Sequence, residues 1–355
     1  MSLIKKIQLF TTAILLIVVI ASCKKEPVNN NNNNTVGDDT VVMTPYEFVL
    51  PTHFPAITIP EDNKLYVERI ELGKQLFFDT RLSNDGKSCA SCHKQEYGFS
   101  VPEPQHGFDK GHTSLPMINL AWYKNFMWNG RLTGTLEDVM MTELTVRFNT
   151  DLVKINNISE YRVMFKNFYR VDEIKYEDMA KALAQYMRVL VSRDTKYDRY
   201  VKGQAVLTPM EEEGRRIFFS EKGDCFHCHT NLLATDNLMH NNGLDSVYNK
   251  DIDLGYFNVT GNPNDKGKFR TPNLRNVALR THYMHDGRFT SLEQVVDFYN
   301  TGVNKVPSVD PLMTKDNRDD VFGLGLNEVE KKQLVAFLKT FTDSTMITDK
   351  AFAAP

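Results

Sequence analysis

Gly223-Asp-Cys225-Phe-His-Cys228-His229-Thr230 places two cysteines and two histidines within five consecutive residues. Such a stretch is half of a zinc site, a thiol redox motif, or the anchor of something larger. Cys89-Ala-Ser-Cys92-His93 repeats its pattern of two cysteines followed at once by histidine. Upstream, Glu71-Leu-Gly-Lys-Gln-Leu-Phe-Phe78 is echoed by Glu212-Glu-Gly-Arg-Arg-Ile-Phe-Phe219. Downstream, Trp128-Asn-Gly-Arg131 and Thr135-Leu-Glu-Asp138 are echoed by His285-Asp-Gly-Arg288 and Ser291-Leu-Glu-Gln294. The chain therefore reads as two related halves. The junction falls near Lys202-Gly203, before Thr208-Pro-Met-Glu211, where Thr208 suits an N-cap, Pro209 the first helical position and Glu211 a capping box.

Two thiols three positions apart can add to the two vinyl groups of one porphyrin, and the next histidine then reaches the iron. Zinc is the first alternative. Paired CxxC motifs of one zinc finger are separated by roughly 15–20 residues, whereas these pairs lie in different halves. A thioredoxin-like dithiol would need a βαβ setting, and none is visible. Two CxxCH motifs inside a repeated framework therefore point to two covalent haem c groups, held by Cys89, Cys92, Cys225 and Cys228 with His93 and His229 on the irons. His227 reads as a filler residue, since His229 already holds the ligand position.

The rest of the chain suits that reading. Its 355 residues are 41% hydrophobic and 25% charged, with a net charge of −3, so no basic footprint argues for nucleic acid. Lys5 and Lys6 precede an apolar run, Ile7 to Ala21, that is short for a membrane span. That run ends Ile20-Ala21-Ser22-Cys23, which resembles a bacterial lipobox. The expectation is a signal peptide over 1–22, lipid on Cys23, and a flexible tether over 23–44 carrying the asparagines 29–34. The protein would then be exported and lipid-anchored to the bacterial envelope, its body in the periplasm or at the cell surface.

Long periodic segments are helical. Tyr176 to Ser192 carries Met179, Leu183, Tyr186, Met187 and Leu190 along one side. Strand signals are sparse. The expected fold is mainly α and loop-rich: two cytochrome c-like domains in tandem, 45–203 and 204–355, each with a covalent haem.

From about Glu61 to Asp343 the chain resembles the bacterial di-haem cytochrome c peroxidase and MauG family. The likeness rests on both CxxCH motifs, on His106-Gly-Phe-Asp-Lys-Gly111, Asn119-Leu-Ala-Trp122 and Phe126-Met-Trp-Asn-Gly-Arg131. It also rests on Lys268-Phe-Arg-Thr-Pro-Asn-Leu-Arg-Asn276 and Tyr283-Met-His-Asp-Gly-Arg288. The resemblance implies that the N-terminal haem meets hydrogen peroxide, while the C-terminal haem receives electrons from a small carrier of cytochrome c or cupredoxin type. Trp128 matches the tryptophan between the haems. His106 matches the displaceable sixth ligand of the reactive haem, with His112 as its rival, and moving that loop would gate peroxide access. A calcium ion between the haems and a homodimer are further implications.

Three departures stand out. Tyr299 stands where the peroxidases carry a methionine ligand and MauG-like members a tyrosine; Met284 and Met313 are the methionine alternatives. Ser291-Leu-Glu-Gln294 should form a capping box, followed by Leu292, Val295, Val296 and Tyr299 on one buried face, with Gly302 ending the helix. Secondly, Val139 and Arg147 occupy the places of the family's two polar catalytic groups. Valine moves no proton and arginine only steadies charge. Glu143 shares a helical face with Leu136, Val139 and Met140, so it either enters the pocket as a desolvated acid or, if the helix ends there, reaches solvent. Thirdly, Thr113 replaces an asparagine, and His282 a proline, at the calcium site. The leading expectation is a peroxidase reducing hydrogen peroxide with carrier electrons. A MauG-like oxidase acting on a partner protein, and a non-catalytic di-haem electron carrier or redox sensor, are the alternatives.

Overall fold

Six helices organise the body: α1 (Val67–Phe78), α2 (Leu136–Thr142), α3 (Tyr176–Val189), α4 (Pro209–Phe218), α5 (Leu292–Asp297) and α6 (Glu328–Lys339). The computed structural model describes residues 41–101, 111–230, 233–315 and 318–355, with the backbone alone at 318–320. The expected signal peptide, lipid-bearing Cys23, most of the tether and His106 lie outside the described residues. Residues 41–355 form one compact unit.

The sequence repeat reappears as a packing repeat. In the first half α1 crosses α3; in the second α4 crosses α6. Gly73 and Gly214, third in the echoed stretches, sit at these crossings. A Cβ on Gly73 would overlap the Ala182 carbonyl of α3, and one on Gly214 the Gln333 carbonyl of α6. Only hydrogen lets the backbones approach so closely. The hydrophobic core accordingly falls into two main clusters. One gathers Leu72, Leu76, Phe77, Leu183, Tyr186 and Met187; the other Phe218, Leu334, Phe337 and Phe341.

The local sequence signals explain the helix limits. Thr208 caps α4 in a reciprocal box with Glu211, and Pro209 opens the helix. The five apolar residues expected on one side of α3 are all buried, although its last turn stops at Val189. The box expected at α5 is only half formed. Ser291 accepts from the Gln294 amide, but the Gln294 side chain accepts from Thr290 N at 2.7 Å. Glutamine reaches one residue further back than a closed box requires, so Thr290 takes that acceptor. Among the described residues, strands pair only as short antiparallel ladders: Asn125–Phe126 with Leu132–Thr133, Met239–His240 with Phe269–Arg270, and Thr314–Lys315 with Arg318–Phe322. No described helix is long and apolar enough to cross a membrane.

Valine at Gly73 or at Gly214 must push the crossing helices apart. Each substitution should destabilise by about 1–3 kcal/mol, read as a lower thermal unfolding midpoint. An unchanged midpoint would contradict the close crossing.

Candidate functional site

Each half encloses an apolar cavity at its CxxCH motif. The first, about 120 Å³, is lined by Cys89, Cys92 and His93 among others. The second, about 220 Å³, is lined by Cys225, Cys228 and His229. Both motifs coil into one tight turn, in which the histidine amide donates to the first cysteine's carbonyl at 2.9 Å. All four cysteines are free of disulfides. Burial pushes the Cys89 and Cys225 thiols up to about 12, so they remain protonated.

The two histidines are oriented alike. His93 Nδ1 lies 3.0 Å from the Phe99 carbonyl, and His229 Nδ1 lies 2.9 Å from the Ala234 carbonyl. Phe99 and Ala234 both adopt positive φ, which turns these carbonyls toward the rings. A histidine whose Nδ1–H is held by a carbonyl presents Nε2 to a metal. Burial, and next the charge of Arg147, lowers the His93 pKa to about 4; burial also lowers that of His229. Both rings are thus neutral, the form that ligates.

These residues fit a covalent haem in each cavity. Paired thiols, a fixed neutral imidazole and an apolar wall are what the group needs. Arg270 adds a further point. It is 3% exposed and lines both cavities, yet it has no carboxylate partner among the described residues. It donates instead to the Met127 and Thr271 carbonyls and lies over the Tyr123 ring. A haem propionate would supply the missing anion.

The seam between the cavities is aromatic. Trp128 lines both, and its indole N–H donates to the Thr113 carbonyl at 2.7 Å. His285, its counterpart in the repeat, packs beside it with ring centroids 6.5 Å apart. Phe269 stacks on His285 at 3.8 Å, and His112 meets both rings edge-on. His112 is buried and lines the first cavity, with Nε2 2.9 Å from the Ile252 carbonyl.

The departures from the family pattern gather at these same cavities. Helix α2 loosens into a π turn, Glu143–Arg147, and α5 into another, Phe298–Gly302. π turns within helices are frequent at functional sites. Glu143 and Tyr299 each stand eight residues after their N-cap, Thr135 and Ser291, and each lines its cavity. The two halves therefore present an oxygen-bearing side chain from the same place in the fold. The Glu143 side chain is 15% exposed and lies 3.5 Å from Arg147. The α-helix does end there, but the carboxylate enters the cavity rather than reaching solvent. Arg147 and Val139 line the same cavity.

In the second cavity Tyr299, Met284 and Met313 are all wall residues. Burial pushes the Tyr299 phenol up to about 12, against a hydrogen bond donated by Asn242 at 3.2 Å. Asn242 also approaches the Met284 sulfur. Sequence reasoning missed Asn242, because its loop carries no motif. It missed His240 because the short strand Met239–His240 carries no motif either. His240 is held between Asp236 at 2.8 Å and Asp310 at 2.6 Å. Burial opposes its charge, but the two carboxylates outweigh that and raise its pKa to about 12. His227 pairs with Asp224, and it is not among the cavity's wall residues.

Comparison with known proteins agrees with this geometry. The family described as di-haem cytochrome c peroxidase matches residues 67–206. Cytochrome-c peroxidase IdrP2 of Denitromonas iodatirespirans is 34% identical over 80% of this chain and 84% of its own. The chain is a member of the di-haem cytochrome c peroxidase and MauG family. Methylamine utilization protein MauG of Methylorubrum extorquens, a further relative, is 32% identical over 79% of this chain and 80% of its own. The crystal structure of a MauG-like protein associated with microbial copper homeostasis superposes with a TM-score of 0.77 at 30% identity, over 87% of this chain and 99% of that one. For this di-haem family member the mainly helical, loop-rich fold and two haem c groups stand.

Replacing Tyr299 by phenylalanine should change the absorption and paramagnetic spectrum of the second haem and leave the first unchanged. An identical spectrum would count against Tyr299 as an axial ligand. The His240 ion pairs are fully present below the unfolded-state pKa of about 6.5 and weaken as pH rises toward 12. His240→Gln should therefore lower the thermal midpoint more at pH 6 than at pH 9; equal losses would contradict the charged state.

Proposed function

We propose that the protein is a peroxidase that reduces hydrogen peroxide to water, taking electrons from a small redox protein of cytochrome c or cupredoxin type. One observation carries this reading: two cavities with matching thiol pairs and oriented histidines share Trp128 as a common wall. Each turnover consumes one peroxide, two electrons and two protons and yields two waters. When bound, the haems supply the redox chemistry.

The chain's own residues then divide the remaining work. Cys89, Cys92 and His93 hold the first haem, and Cys225, Cys228 and His229 the second. In the first cavity Glu143 is the acid and base: its carboxylate takes a proton from peroxide and returns it to the departing oxygen. Arg147, 3.5 Å away, orients that carboxylate and steadies negative charge. Val139 adds only an apolar wall. Trp128 couples the two cavities, with its indole fixed by Thr113. His106, as the displaceable ligand of the first haem, remains a proposal from the family motif. The lipid anchor on Cys23, which would hold the body at the envelope, rests on sequence in the same way, as does the homodimer.

A second reading has its own support. Tyr299 lines the second cavity where the peroxidases carry methionine. A phenolate is a hard anionic ligand that stabilises oxidised iron, so the second haem would be a poorer acceptor of carrier electrons. That property suits a MauG-like oxidase of a partner protein. The likeness to a MauG-like structure points the same way.

The holoprotein with both haems should oxidise a reduced small cytochrome when peroxide is added. Glu143→Gln should lower kcat by roughly 10²–10⁴-fold while both haems stay attached. Absence of turnover above a haem-free control would refute the peroxidase reading, and turnover unaffected by Glu143→Gln would remove Glu143 from it. Tyr299→Met should raise the rate of electron uptake from the carrier; no change would weaken the MauG-like reading.

A further inference from the structure

The loops that the family resemblance assigns to calcium are already cross-linked by an organic cation. Thr113, at the asparagine position, donates its hydroxyl proton to the Met284 carbonyl at 2.9 Å. Its amide donates to the His285 carbonyl at 2.8 Å, and its own carbonyl accepts the Trp128 indole N–H. His282, at the proline position, offers a backbone carbonyl, but Arg280 Nε donates to that oxygen at 3.3 Å. Arg280 Nη1 donates to the Ser114 carbonyl at 3.0 Å. One guanidinium thus spans the loop after His112 and the loop before Tyr283.

A divalent ion there would meet this guanidinium at close range. It would also find little anionic help. Asp253 is engaged by His285 at 3.2 Å, and Asp286 by Arg288 at 2.7 Å. Arg280 itself has no carboxylate partner among the described residues. Burial lowers its pKa only to about 10, so it stays charged at neutral pH. The group lines the second cavity. Through Ser114, a wall residue of the first cavity, it also touches the other site.

We propose that Arg280 is the resident cation of the seam, replacing a calcium ion with a charge carried by the chain, and that it holds the two loops together while raising the potential of the haems beside it. It is a positioning residue, since it acts on the irons through charge and on Trp128 through the Ser114 and Thr113 loop. The inference rests on the two-haem reading. That reading is checked separately by two haems per chain in a pyridine haemochrome assay.

The test uses the full holoprotein. After chelation with EGTA and desalting, metal analysis should find no stoichiometric calcium. Adding calcium chloride should change neither the spectra nor the midpoint potentials of the two haems. Retained calcium, or a saturable spectral change on adding it, would overturn the proposal even with both haems present. Arg280→Gln should lower the midpoint potential of the second haem, and Arg280→Lys should restore most of the loss. Potentials unchanged by Arg280→Gln would overturn the electrostatic role. If Arg280→Gln fails to fold, the calcium measurements on the unaltered protein still decide.

Discussion

The backbone link between Trp128 and Arg270 is the constraint on which the arrangement of the sites depends. Arg270 N donates to the Trp128 carbonyl at 2.8 Å, while Arg270 Nε donates to the Met127 carbonyl at 3.1 Å. These bonds join the two halves edge to edge. They also place one indole and one guanidinium in the walls of both cavities. Without that seam the two CxxCH motifs would belong to two independent haem pockets. With it they face a shared wall.

The seam is also where the internal repeat acquires a purpose. Trp128 and His285 occupy matching places in the echoed motifs, and they pack against each other. Met127 and Met284, which precede them, share the same left-handed backbone, φ 62° and 68°. Glu143 and Tyr299 likewise share a place after their N-caps. One frame has therefore been used twice, with different side chains at the positions that matter. The first half carries a carboxylate that can move protons. The second carries a phenol suited to holding iron in its oxidised state. On the proposed function, this asymmetry on a symmetric frame would separate a reactive site from an electron-handling one.

Much of the fold was legible in the chain. The CxxCH pairs, the capping box at Thr208 and the apolar stripe of α3 are local signals, and local hydrogen bonds and periodicity decide them. The half-formed box at Ser291 shows the limit even here. The residue types were right, but Gln294 bonded one residue back because Thr290 was within its reach. The site was legible only where a motif marked it. Asn242, His240 and Arg280 lie outside every motif, and Arg270, although within one, carries no sign there of its role; each acquires that role from a residue distant in sequence.

By itself, the sequence determined the covalent chemistry. Thiols three positions apart and the histidine beside them are adjacent along the chain, so their chemistry follows from spacing alone. It also determined the mainly helical, twice-built frame, because helix periodicity and caps are written within each segment. Only the tertiary structure decided what faces each haem cavity. It turned Glu143 inward, placed Tyr299 beside Met284 and Met313 in one wall, and laid Arg280 across two loops. Such placements depend on how distant segments pack and on where buried charges find partners, and no local pattern records either.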